Sequence, residues 1–274
     1  MLESAGWWSP WLLGYGALGL FSGFMAGLFG IGGGVVIVSL LAMMFTAQGF
    51  AHEHILHLAL GTSMATIVFT SLSSLRAHQS HGAIEWPLVR QLTPGVIAGT
   101  FIGTLIAARI STRALALFFG FFVLLVAIQM AANLKPRPSR TLPGPLGVAG
   151  VGTGIGAVSA LVAIGGGAMT VPWLSWCNLP LQRAIGTSAA MGFPIAVFGS
   201  LGYLWNGVQA QGLPTGSVGY LYIPALVCLM AASVLTAPLG ARMAHRLPVL
   251  TLKRAFAVLL VVLAAKMLWG VWQA

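Results

Sequence analysis

The chain has 274 residues, of which 58% are hydrophobic and 6% charged, with a mean hydropathy of +0.95. This composition excludes a water-soluble globule with a polar skin and points to an all-α polytopic membrane protein. The net charge of +10 comes from thirteen Lys and Arg against three acids, Glu3, Glu53 and Glu85, and the cations sit singly or in small clusters at the ends of apolar runs; that placement fits orientation in a bilayer, not contact with nucleic acid.

The N-terminus carries neither a basic leader nor a small-residue cleavage site, so the first apolar run is expected to stay in the membrane. Apolar segments follow at 10–29, 33–47, 55–75, 87–108 and 112–134, then a polar linker, LKPRPSRTLPGP, and five more segments at 145–163, 166–178, 183–205, 218–244 and 250–272. The second segment of each set falls short of the roughly 20 residues that a spanning helix needs. It is expected to be tilted, partly unwound or re-entrant, with its backbone polar groups satisfied inside protein.

The two halves resemble each other in order. IGGG occurs at Ile31 and Ile164, LGTSMA from Leu60 answers IGTSAA from Ile185, and AARI from Ala107 answers GARM from Gly240. The pattern predicts an internal duplication: a first membrane repeat over residues 1–134, a cytoplasmic linker over 135–144 and a second membrane repeat over 145–274, with helix breaks at the GGG motifs. An odd number of crossings per half sets the halves upside down relative to each other. Two inverted repeats of about five hydrophobic segments each are a recurring architecture of secondary transporters.

Positive charge gives the orientation. With the N-terminus outside, Arg76, Arg90, Lys135, Arg137, Arg140, Arg183, Arg242, Arg246, Lys253 and Arg254 all fall inside, and only Arg109 and Arg113 fall outside. Both termini are therefore expected on the periplasmic side. Three crossings plus a hairpin per half would give the same sidedness. Trp7, Trp8, Trp11, Trp205, Trp269 and Trp272 then gather at the outer interface and Trp86 at the inner one, where anchoring is their expected work.

Three consecutive glycines cost a helix about 1 kcal/mol each relative to alanine, so the chain is expected to break at Gly32, Gly33 and Gly34 and again at Gly165, Gly166 and Gly167. Such breaks let backbone approach a ligand, and the N–H groups opening the next helix hold partial positive charge suited to an anion. Thr62 and Ser63, matched by Thr187 and Ser188, add neutral hydroxyl donors that need no buried cation. Close helix packing by the glycines and hydroxyls bonded back to their own helix stand as the alternatives. Arg90 and Arg183 reach headgroups or draw anions into a cytoplasmic cavity, and Trp173 and Trp176 are further candidates for lining it.

An enzyme fits poorly. The GTS motifs lack the last glycine of a GxSxG turn, and the absence of Asp excludes a Ser-His-Asp triad. The only conceivable dyad pairs Ser63 with His57. In AHEHILH, Leu56 stands where HExxH needs its second histidine, leaving only His54 and His57 at i,i+3. Cys177 and Cys228 have no ligand or disulfide spacing. No metal, cofactor or catalytic residue is expected.

The paired GIGGG and AIGGGAMTVPWL motifs, each followed by a GTS helix in a duplicated chain of this length, resemble the TauE/SafE sulfite-exporter family, also called the 4-toluene sulfonate uptake permeases. The resemblance implies a secondary transporter that exports sulfite, organosulfonates or related small sulfur-containing anions across a bacterial inner membrane. It makes the glycine triplets and the Thr-Ser pairs the substrate-binding positions. An anion channel, or a carrier of a different small organic anion such as a carboxylate, stays open beside it. One departure is that Pro172, after the second triplet, has Ser39 as its counterpart, so the half-sites need not be equivalent. The expected partners are a small anionic substrate and the lipid bilayer. Export of a monovalent anion is favoured by about 2.3 kcal/mol per 100 mV, so it needs no coupling ion; proton coupling and oligomeric state stay open.

Overall fold

The computed structural model describes residues 10–29, 33–132, 139–244 and 249–273. Gly32, Trp7, Trp8, Lys135, Arg137 and Arg246 lie outside the described residues. The first half contains α1 (Trp11–Phe29), α2 (Gly34–Ala47), α3 (His52–Ser80), α4 (Trp86–Arg109) and α5 (Thr112–Ala131). The second contains α6 (Pro145–Val162), α7 (Gly167–Trp176), α8 (Leu181–Gly207), α9 (Ile223–Ala244) and α10 (Val249–Gln273). The order long, short, long, long, long thus occurs twice. One boundary differs from expectation: the segment predicted to begin at 218 opens with a small antiparallel pair, β1 (Ser217–Val218) and β2 (Leu221–Tyr222), and its helix starts only at Ile223.

Six helices among the described residues, α3, α4, α5, α6, α8 and the Ile223–Gly240 stretch of α9, are long and apolar enough to cross a membrane. The chain is a multi-pass, all-α membrane protein. At 14 and 10 residues, α2 and α7 are the short second helices that the segment lengths foretold.

A helix starts at each glycine run. α2 starts at Gly34, capped by Gly33 at φ 63°. α6 ends at Val162, Ala163 turns left-handed at φ 48°, and Gly166 at φ 77° caps α7. A side chain at Gly33 or Gly166 would be strained in this region, which explains glycine at the two caps.

Packing runs across the halves. α3 and α8 form the centre, and 83% of α3's most apolar stretch is buried. Around them α1 lies on α9, α4 on α6 and α5 on α10, so the first helix of each half packs against the fourth of the other. Small residues permit these contacts: methyls on Gly95 and Gly99 would each lie 1.9 Å from a carbonyl oxygen of α6, at Ala149 and Thr153. Gly19 and Gly23 of α1 meet α9 in the same way. In lipid, where apolar surface alone does not drive association, such backbone proximity recovers dispersion contact. At the α1 N-terminal end of the bundle, Tyr15, Phe45, Phe50 and Tyr222 pack ring against ring, with centroids 5.0–6.3 Å apart.

Candidate substrate site

A cavity of about 350 Å³ lies between α1, α3, α8, α9 and the break before α7. Gly165 and Gly167 border it from the break, and Ser188 and Gly192 from α8. α3 contributes a polar stripe, Thr70, Ser71, Ser74 and His78, while Ala26 of α1 and Pro238 of α9 complete apolar walls. Of the candidate positions, the structure therefore brings Gly165, Gly167 and Ser188 to one space. It does not bring Gly33, Gly34, Thr62, Ser63 or Thr187 there.

Ser188 is 2% exposed and its hydroxyl has no hydrogen-bond partner. A buried, unpaired hydroxyl costs about 1–3 kcal/mol, a penalty that an oxygen-bearing ligand in the cavity would remove. Beside it, α7 starts at Gly167 with no side chain capping its first turn. The Gly166 N–H bonds the Ile164 carbonyl at 2.7 Å and the Met169 N–H the Gly166 carbonyl at 3.1 Å, while the opening N–H groups of a helix are partly positive. Gly165 leaves the approach open: a methyl there would come no closer than 3.7 Å to any atom.

The matching positions in the first half are closed. Ser63 donates to the Gly34 carbonyl at 3.3 Å. A methyl on Gly34 would lie 1.9 Å from the Ala163 carbonyl oxygen and 2.7 Å from Ile67 Cδ1. Counting from each GTS, Ile67 stands where the second half has Gly192. Its buried side chain fills the space between the two glycine runs.

The threonines hold loops. Thr62 Oγ1 accepts from the Tyr222 N–H and Thr187 Oγ1 from the Glu85 N–H, each at 3.0 Å. The preceding glycines allow the same approach, since methyls on Gly61 and Gly186 would lie 2.3 and 2.2 Å from the carbonyl oxygens of Tyr220 and Ala83. Each Gly-Thr pair thus docks the segment that leads into the fourth helix of the opposite half.

Other candidates also find partners. Arg183 pairs with Glu85 at the start of α4. Arg90, Arg109 and Arg113 are exposed, and none lines the cavity. Trp176 donates to Ser139 Oγ and lies under the Arg140 guanidinium at 4.8 Å, and Trp173 packs into the core; both are away from the cavity. His57 meets the Ala107 carbonyl at 2.9 Å and His54 the Gln211 carbonyl at 2.8 Å, so neither serves Ser63. Among the described residues, no group of three or more His, Cys, Asp and Glu is placed to hold a metal.

The residues that sequence reasoning missed are Thr70, Ser71, Ser74 and His78. Their spacing is one helical face, and a polar face inside an apolar chain was the available signal. Thr70 and Ser71 donate back to the carbonyls of Ile67 and Val68, so their hydroxyl protons are engaged within α3.

Residues 15–267 match the family described as Sulfite exporter TauE/SafE. The chain is 37% identical over 251 residues to a probable membrane transporter protein of Haemophilus influenzae, covering 91% of this chain and 95% of that one. It is 29% identical to the probable membrane transporter protein YunE of Bacillus subtilis, covering 77% and 81% of the two chains. It is 27% identical to a probable membrane transporter protein of Methanocaldococcus jannaschii, covering 84% and 85%. No solved structure matches the chain. The matched span takes in all but the ends of the helical bundle, including both glycine breaks and the cavity between them, and the chain is a membrane transporter belonging to the sulfite exporter TauE/SafE family.

Proposed function

We propose that the chain exports sulfite, organosulfonates or related small sulfur-containing anions across the bacterial inner membrane by alternating access. The observation that carries this reading is Ser188: it borders a cavity beside the uncapped start of α7, and its buried hydroxyl has no hydrogen-bond partner. Neutral donors of this kind hold an oxyanion without the desolvation cost of a buried cation. The family and its relatives' names support transport; the sulfur anion follows from the family description alone.

The two halves are read as inverted repeats, 1–134 and 145–274, joined by a cytoplasmic linker over 135–144, with both termini periplasmic. The repeated helix order and the crossed packing of first and fourth helices support this arrangement. On that orientation the cavity lies toward the cytoplasmic ends of α1, α3 and α9, and the Tyr15, Phe45, Phe50 and Tyr222 cluster closes the periplasmic end. The form described is inward-open. Gly165, Gly167 and Ser188 contact the anion, Gly166 sets the turn, and Thr62 and Thr187 fix the neighbouring loops. Gly33, Gly34 and Ser63 form the closed counterpart, and Gly32 belongs to the same expected substrate-binding set.

Counterflow in proteoliposomes tests the reading. Vesicles preloaded with sulfite or a short organosulfonate are expected to accumulate labelled sulfite, and vesicles preloaded with a matched carboxylate are not. Equal exchange with carboxylate would overturn the sulfur specificity. Linear, unsaturable flux without counterflow would replace the carrier with a channel.

A further inference from the structure

The cavity binds an anion on the reading above, yet among the described residues its walls contain no Lys or Arg. Its lining from α1, α8, α9 and the break before α7 is made of glycine, alanine, proline and serine. On α3, the lining includes one titratable side chain, His78, part-buried near the helix end. We propose that His78 is the charge-compensating residue of the inward-open site, and that the anion is bound together with a proton carried on its imidazole. This deepens the anion-transport reading and rests on it.

The argument is one of supply. An anion leaving water for a cavity of this size loses much of its hydration, and hydroxyls and a helix terminus return only part of it. Imidazole is the side chain whose charge changes near neutral pH, so a proton drawn from the same compartment as the anion can provide the missing positive charge. Of the other described charged groups toward this end of the bundle, Arg76, on the same helix as His78, and Arg90 are exposed and outside the lining. Glu85 pairs with Arg183. His81 contacts the Ala77 carbonyl at 2.7 Å and Ser80 at 3.2 Å. Among the described residues, no carboxylate borders the cavity to neutralise the imidazolium or repel the anion.

The experiment measures equilibrium binding of methanesulfonate to the purified full chain in nanodiscs. This probe stays fully ionised across the range, so any pH dependence belongs to the protein. Wild-type affinity is expected to be about tenfold higher at about pH 6 than at about pH 8. His78→Gln should stay at the weak, high-pH level throughout, His78→Lys should hold the strong level at both, and His81→Gln should follow the wild type. Thermal stability of each variant, read in parallel, separates unfolding from lost binding. A His78→Gln protein that keeps the wild-type pH profile overturns the role of His78 while leaving the anion site standing. Absence of methanesulfonate and sulfite binding by the wild type at either pH overturns the anion reading and this proposal with it.

Discussion

The two glycine breaks carry the same letters and end in different states. At the first, Ser63 is spent on the Gly34 carbonyl, Gly34 presses on Ala163, and Ile67 fills the gap between the runs. At the second, Gly192 replaces that isoleucine, Ser188 is left without a partner, and a cavity opens beside Gly165. A repeated motif therefore sets where the chain breaks, while the residues four places after each GTS decide whether the break is packed shut or lined for a ligand. On the proposed reading, the second break is the half-site that takes the anion.

Substitutions at paired glycines break the comparison most strongly. Gly165→Leu should abolish counterflow with the folded protein retained, because the new side chain projects into the cavity, where nothing lies within 3.7 Å of its first carbon. Size-exclusion profile and flux, measured together, check it; normal flux would remove Gly165 from the substrate path. Gly34→Ala should do the opposite and damage folding first, since its methyl would lie 1.9 Å from the Ala163 carbonyl oxygen. Overpacking of this kind costs about 1–3 kcal/mol, which a denaturation midpoint in detergent can register.

A smaller effect is expected at the threonines. Thr62→Val and Thr187→Val each strand a buried backbone N–H, lowering stability by about 1–2 kcal/mol without changing the apparent affinity for sulfite. Weaker sulfite binding in either variant, with its stability intact, would move that hydroxyl from the loop to the ligand. The smallest effect is expected at the Glu85–Arg183 pair, of which the arginine side chain is 58% exposed. Glu85→Gln should shift stability by less than about 1 kcal/mol, because solvent screens such a pair. A large loss of transport would instead give Arg183 a part in drawing anions inward.

Much of the architecture was legible in the sequence. Ten apolar segments, two of them too short to span, became ten helices with two short ones, because hydrophobic run length is set directly by bilayer thickness. Glycine at the starts of α2 and α7 was legible for a local reason: no other residue tolerates φ 63° and φ 77° so readily. The site was only partly legible. Ser63 and Ser188 sit in matching GTS motifs, and nothing within three residues of either tells which one is bonded; that depends on Gly34, brought to Ser63 from α2, and on Ile67 against Gly192 one helical turn further on. Thr62 and Thr187 are acceptors for loops more than one hundred residues away, at Tyr222 and Glu85. His78 lay in a polar helix end that reads as an interface until α9 and α8 close a cavity around it.

Sulfite affinity in counterflow, compared between Ser188→Ala and Ser63→Ala, tests most directly whether the half-sites differ. A hydrogen bond to a charged ligand contributes about 1.5–3 kcal/mol, so Ser188→Ala should weaken apparent affinity by about tenfold or more, while Ser63→Ala should leave it within about twofold. Equal losses in the two variants, or a larger loss at Ser63, would contradict the account and assign the anion to the half-site that is packed shut here.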